Sequence, residues 1–309
     1  MLRFYVLTSR NLKCLKRHFA SLPRTETTVV INTTLDWYRE EAAEWCARNK
    51  IDYVVTKSNG YPGRGKNSVI QHFLASEYDY MVQIDGDDFL QPHGVNLYRA
   101  ISASAQPPDG VVILHSLSWS NNRKIEGDLW LPNPFMPDFE KEISKYFDAC
   151  PEIVEKVEYF RENKKELKRN YVQHCKDNDR WNFPGESRQS MDCARLIFYS
   201  RRLAELVTFR ENLMIGEDSL VNYQVRDLAY KGLVELQKIN DVEEHSYIYD
   251  LQNSGIVKRL TNRLDWDWVK PLNDAILEES WKWSVTPEFR IAPVAIEIEK
   301  APEFNLGKL

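Results

Sequence analysis

Four short apolar runs dominate the first third of the chain and limit what it can fold into. Phe4 to Thr8, Thr28 to Asn32, Tyr53 to Thr56 and Tyr80 to Ile84 read as strands. Stretches of helical composition separate them, notably Asp36 to Asn49, where Trp37, Glu41, Glu44 and Trp45 recur at helical spacing. A further helix is expected from about Asn67 to Ser76, and Val111 to Leu117 reads as a fifth strand. Strands alternating with helices predict an α/β fold, a mostly parallel sheet flanked by helices on both faces. In such sheets ligands bind beyond the carboxyl ends of the strands.

The fourth run ends abruptly. Tyr80-Met81-Val82-Gln83-Ile84 leads into Asp85, Gly86, Asp87 and Asp88. Carboxylates this close repel, and each is costly unless solvated, hydrogen-bonded or paired with a cation. Their place at a strand's carboxyl end favours a cation seat over an acidic turn.

Three other segments carry potential chemistry. Ser58 to Asn67 (SNGYPGRGKN) is glycine-rich, holds Arg64 and Lys66, and leads into a helix, a composition that suits a diphosphate. It lacks the GxxxxGK[ST] spacing of a Walker A loop. Gly216-Glu217-Asp218 precedes a helix expected over Ser219 to Tyr230, and His245 to Ser254 reads HSYIYDLQNS. Two other acidic motifs are set aside. Asp177 to Trp181 (DNDRW) lacks the leading Gln of a QxxRW motif and precedes the GED segment, and the tryptophans of Asp265 to Trp268 suit packing.

In this order, GKN helix, DGDD strand end, GED and aromatic segment, the set resembles the GT-A glycosyltransferases, specifically the family-2-like group that uses nucleotide-sugar donors. The likeness spans roughly residues 2–117 and 188–260. It implies a Mn²⁺ or Mg²⁺ ion bridging the donor diphosphate and the aspartates, with Asp87 as main ligand and Asp85 at the ion or the donor ribose. All-oxygen ligation suits either ion. Asp88 falls just behind. It implies inverting transfer of a hexosyl or pentosyl group, with Asp218 beside Glu217 as the base that deprotonates the acceptor hydroxyl. The other reading of Asp218 is a helix N-cap. His245 matches a metal-binding histidine of that family, and Tyr247, Tyr249 and Ser254 its aromatic-then-serine stretch over the diphosphate. Donor contacts are expected from Thr8, Ser9, Asn32, Arg64, Lys66, Asn67 and Asp85. The second strand ends in INTT where the family often has an acidic residue, so the nucleotide base stays open.

The likeness divides the chain into a nucleotide-sugar half (1–117), an insertion expected to be largely helical (118–187), a catalytic half (188–260), and a C-terminal helix and peripheral arm (261–309). The insertion holds Trp119, Trp130 and a Lys/Arg-rich run from Lys156 to Arg180 with Lys164, Lys165, Lys168 and Arg169. Those residues make either a solvated helix laced with ion pairs or an acceptor platform that grips DNA and stacks an extruded base, in the style of bacteriophage base-modifying enzymes. A glycan, a lipid-linked sugar and a protein stay open as acceptors. The net charge of −5 argues against a general nucleic-acid coat.

The five scattered cysteines form no CxxC pair and predict reduced thiols. No apolar run reaches the length of a membrane span, and the amino-terminal apolar stretch is too short for a signal peptide. The expectation is a soluble cytoplasmic protein without integral membrane association, in the host cytoplasm if viral. A nucleotidyltransferase is a competing class, but it usually carries its glycine-rich loop directly after the first strand, where this chain has Thr8-Ser9-Arg10-Asn11. An inactive sugar-binding scaffold is the non-enzymatic alternative.

Overall fold

A computed structural model describes residues 1–114, the short strands at 124–126 and 129–130, and residues 194–211, 217–240, 246–248 and 298–299. The first half alternates as expected: β1 (Leu2–Thr8), α1 (Leu12–His18), β2 (Thr27–Thr33), α2 (Asp36–Arg48), β3 (Asp52–Lys57), α3 (Pro62–Leu74), β4 (Tyr80–Asp85), β5 (Phe89–Leu90), α4 (Pro92–Ser102) and β6 (Gly110–Leu114). After the paired β7 (Lys124–Glu126) and β8 (Leu129–Trp130) come β9 (Ala194–Ser200), α5 (Arg201–Leu206), α6 (Glu217–Tyr230), β10 (Leu236–Asn240), β11 (Tyr247–Ile248) and β12 (Ile298–Glu299).

Among the described residues eight strands form the main sheet, in the order β10-β6-β9-β4-β1-β2-β3-β12. β1 runs parallel to β2 and β4, β2 parallel to β3, and β6 parallel to β10. β9 lies antiparallel between β4 and β6, and β12 adds antiparallel to β3. This is the mostly parallel α/β class that the sequence predicts. Its central strands β1, β2 and β4 read as largely apolar runs because both faces are covered. Phe4, Val6, Ile31 and Ile84 pack on one side with Leu15, Tyr38 and Tyr98 from α1, α2 and α4. Tyr5, Val30 and Met81 pack on the other with Phe73, Leu203 and Val225 from α3, α5 and α6.

Three differences from the sequence reading bear on the site. α3 begins at Pro62, with proline in the first turn, so Gly63 to Asn67 are helical and do not form a loop. Proline is pre-organised for that position, and Gly63 lets the helix pack close: a Cβ there would lie 2.0 Å from the Arg210 carbonyl oxygen. α6 begins at Glu217, so Asp218 stands in its first turn and not at the cap. β11 pairs antiparallel with β5, Tyr247 opposite Leu90, which brings a distant segment beside the acidic turn.

The peripheral arm expected within residues 261–309 contributes β12, with Ile298 opposite Thr56. The helical character of the insertion and of the C-terminal segment falls outside the described residues. Cys14 and Cys46 are buried, and neither forms a disulfide among the described residues. Among the described residues no helix is long and apolar enough to cross a membrane.

Candidate functional site

The acidic turn is built from its backbone outward. β4 ends at Asp85, opposite Leu7 of β1, and the Asp88 amide donates to the Asp85 carbonyl at 3.1 Å to close the turn. A side chain at position 86 would not fit, since a Cβ there would lie 2.4 Å from the Leu7 carbonyl oxygen. From the end of α1, Arg17 donates to the Asp87 carbonyl at 2.8 Å, and the His18 ring meets the Gly86 carbonyl at 3.2 Å. His18 is fully buried; burial first, and then Arg17, lower its pKa to about 3, so it is neutral at ordinary pH. With its carbonyls held from below, the turn directs three carboxylates together: Asp85, Asp87 and Asp88 each present an oxygen within 4.8 Å of the others.

Arg195 and Lys66 meet these carboxylates. Arg195, on β9, donates to Asp88 Oδ2 at 3.0 Å and to Asp85 Oδ2. Its guanidinium lies 5.3 Å from the Tyr247 ring centroid, and the Tyr247 hydroxyl donates to the same oxygen of Asp88. Lys66, on α3, lies 3.7 Å from Asp85 Oδ2, donates to Glu217 at 2.9 Å and donates also to Asp218. Asp85, Asp88, Glu217 and Asp218 thus share Lys66 and Arg195, with Asp87 as a fifth carboxylate in the cluster.

Burial and pairing drive these acids apart. For Asp85, burial pushes up, but Arg195 and Lys66 outweigh it and lower the pKa to about 2. Asp88, fully buried with Asp87 and Asp85 beside it, is pushed well above the usual carboxylate range despite Arg195. Burial also raises Glu217 to about 7, only partly offset by Lys66. Burial opposes the charge on Lys66, but Asp218, Asp85 and Glu217 together hold it protonated well above its usual range.

The acidic turn fits a hard divalent cation. Asp85 Oδ2 is engaged, but Asp85 Oδ1 is buried with no hydrogen-bond partner, an arrangement that is costly unless a ligand completes it. Asp85 Oδ1 and Asp87 are the groups that would hold such an ion. Asp88 Oδ2 accepts from both Arg195 and Tyr247, which makes Asp88 a buttress behind the turn.

The other expected donor residues are placed less directly. Thr8 at the end of β1 shares a hydrogen bond with the Tyr38 hydroxyl. Asn32 donates to Thr56 Oγ1 at 2.8 Å and to the Lys57 carbonyl at 3.3 Å, bracing the ends of β2 and β3. Ser9 follows β1 directly. Arg64 pairs with Glu211 at 2.9 Å. Asn67 donates to the Phe209 carbonyl at 2.8 Å and to Glu211 at 2.9 Å, and accepts from the Phe209 amide. Arg64 and Asn67 therefore tie α3 to the segment that precedes α6, where the sequence suggests a phosphate cradle. Trp130 lies on β8 opposite Lys124. Trp119, Lys164, Lys165, Lys168, Arg169, His245, Tyr249 and Ser254 lie outside the described residues.

Sequence reasoning missed Arg195, Arg17, His18 and Glu211. A signal for Arg195 was present: one arginine inside the apolar run Ala194 to Ser200 implies a buried partner. Nothing in α1 singled out Arg17 or His18, because they hold the turn through backbone carbonyls.

No protein-family model matches this chain, and no curated protein does so significantly. Among solved structures, Staphylococcus aureus TarS 1–349 shares 16% identity at a TM-score of 0.46, covering 91% of this chain and 70% of that one. Its complex with UDP-GlcNAc shares 16% at 0.45, covering 90% and 71%. The mannosyltransferase PcManGT from Pyrobaculum calidifontis, in complex with GDP-Man and Mn²⁺, shares 14% at 0.45, covering 92% and 71%. None of these likenesses is close enough to bear on function.

Proposed function

We propose that this chain is a metal-dependent, inverting glycosyltransferase of the GT-A type, moving a sugar from a nucleoside-diphosphate donor to an acceptor hydroxyl. One observation carries the reading. A three-carboxylate turn at the carboxyl end of a central strand, with a buried Asp85 oxygen lacking a partner, is joined through one lysine to a partly exposed carboxylate, Asp218. The first element suits a cation and diphosphate, and the second suits a base.

Asp87 and Asp85 Oδ1 would hold a Mn²⁺ or Mg²⁺ ion, with Arg195 and Tyr247 fixing the turn through Asp85 and Asp88. The ion would supply positive charge against the departing diphosphate. Asp218, in the first turn of a long helix where the backbone dipole favours a negative charge, takes the proton of the acceptor hydroxyl. The acceptor oxygen bonds to the anomeric carbon from the opposite face as the bond from that carbon to the diphosphate oxygen breaks. The electron pair leaves with the nucleoside diphosphate. DNA as acceptor is supported by sequence alone, through the Lys/Arg-rich 156–180 run.

The test is hydrolysis of UDP-GlcNAc, UDP-glucose and GDP-mannose with Mn²⁺ or Mg²⁺ and after EDTA, water replacing the acceptor. Metal-dependent release of nucleoside diphosphate is expected. Pyrophosphate release from a nucleoside triphosphate and a sugar 1-phosphate would mark a nucleotidyltransferase instead. Neither activity would leave a binding scaffold.

A further inference from the structure

We infer that Lys66 is a positioning residue for the base and makes no donor contact: its ammonium links the acidic turn to Asp218 and holds that carboxylate in a fixed orientation. The inference rests on the glycosyltransferase reading and deepens it.

Position comes first. Lys66 is only 2% exposed, and its Nζ reaches three carboxylates from two elements: Asp85 at 3.7 Å, Glu217 at 2.9 Å and Asp218 in direct contact. An ammonium has three donors. Glu217 and Asp218 each take one, and Asp85 lies at ion-pair distance from the same nitrogen, so the head is turned inward among acids. A residue gripping a diphosphate would show the opposite, a cationic head open toward the solvent side of the turn.

The asymmetry among the three acids follows. Glu217 and Asp85 have side-chain exposures of 7% and 20%, and Lys66 of 3%, whereas the Asp218 side chain is 43% exposed. The lysine thus touches Asp218 from the protein side and leaves the carboxylate accessible from the other. An incoming hydroxyl could meet it there. The Lys66 stem is fixed by α3, whose glycines let the helix pack against Leu7 and the Arg210 backbone, and its ammonium lies 5.4 Å from the Phe209 ring centroid. A lysine so confined sets the angle of the carboxylate. Asp85 Oδ2 is held by Arg195 as well as by Lys66, so the acidic turn keeps a cation when Lys66 is replaced.

Lys66→Met, tested by a double-mutant cycle with Asp218→Asn, decides the matter. Turnover is hydrolysis of UDP-GlcNAc, or whichever of the three donors is turned over fastest, with saturating Mn²⁺, and donor affinity is measured by calorimetry. K66M is expected to keep the donor Kd within about twofold and to lower kcat by about tenfold or more, part of the hundredfold or greater effect of a general base. In the D218N background K66M should cause no further loss, because a residue acting only through Asp218 has nothing left to act on. K66R, which keeps the charge, should restore kcat to within about threefold of the unsubstituted protein. If K66M does not fold, the K66R/D218N cycle is read by the same criterion, any loss from K66R vanishing in the D218N background. A raised donor Kd with losses that multiply across the cycle would return Lys66 to the donor site and overturn the inference while leaving the glycosyltransferase intact. No metal-dependent turnover of any donor by the unsubstituted protein would remove both.

Discussion

Arg195 and Asp88 are 107 residues apart in the chain, yet the guanidinium donates to Asp88 Oδ2 at 3.0 Å in a site closed to solvent. β9 carries Arg195 into the sheet antiparallel between β4 and β6, and that insertion places a cation under the turn that ends β4. The same guanidinium reaches Asp85, so one side chain fixes two of the three clustered carboxylates.

Arg195→Met should therefore destabilise the protein strongly. Removing one partner of a buried ion pair leaves an uncompensated charge, at a cost of roughly 3–5 kcal/mol. Urea unfolding should show a lower midpoint with little change in slope. A midpoint within error of the unsubstituted protein would mean that Asp85 and Asp88 do not depend on Arg195.

Asp87→Asn should act on ligand binding and spare the fold. Asp87 is half-buried at the tip of a turn that is held by its backbone, so the core loses little. Calorimetric titration with Mn²⁺, alone and with UDP, should show the metal-assisted binding abolished and the melting temperature changed by no more than a few degrees. Unchanged Mn²⁺-assisted UDP binding would exclude Asp87 as a ligand.

Much of this could be read from the sequence, and what could not has physical causes. The alternation of β1 to β4 with helices was legible because buried strands and amphipathic helices leave periodic signals, and DGDD because three adjacent carboxylates at a strand end are costly without a purpose. The starts of α3 and α6 lie earlier than the sequence pattern suggests. Gly63 and Gly65 look like loop residues, but they serve close packing against Arg210 and Leu7, a contact no local pattern encodes. Tyr247 and Arg195 reach the turn only through pairing across long sequence separations. Glu211, which joins Arg64, Asn67 and, by its carbonyl, Asn59, likewise has meaning only once α3 and the segment before α6 are side by side.

Glu217 should leave a signature in stability against pH. Its pKa is raised by burial from 4.5 to about 7 in the folded protein. The folded state then binds this proton more tightly than the unfolded chain. The resulting stabilisation is fully present below about pH 4.5 and is lost as pH rises through about 7, roughly 3 kcal/mol in all. Asp85 has the opposite sign: lowered to about 2, it contributes stability above pH 3.8 that is lost as pH falls through about 2. Urea midpoints measured from pH 5 to 8 should fall less steeply in Glu217→Gln than in the unsubstituted protein. Identical slopes would assign the titration to another group.

If DNA is the acceptor, its binding should weaken steeply with salt through counterion release. Neutralising Lys164, Lys165, Lys168 and Arg169 together should flatten that dependence, measured by fluorescence anisotropy on a duplex at several ionic strengths. An affinity indifferent to salt and to the four charges would exclude the DNA platform.

Asp218→Asn tests the chemistry itself. Asp218 is partly exposed and pairs with Lys66, and Lys66 keeps Glu217 and Asp85 when that bond is weakened. The stability cost should therefore be small, about 1 kcal/mol or less. Asparagine keeps the size of the side chain and can accept a bond from the lysine, but it cannot take a proton from a hydroxyl. Donor affinity should hold, because the acidic turn is untouched. Turnover should fall by about a hundredfold or more, the usual contribution of a positioned general base. Product mass would follow turnover, and calorimetry the donor. Near-normal turnover would remove Asp218 from the base role. A fall in donor affinity as large as the fall in turnover would mean that Asp218 holds the donor and not the acceptor's proton.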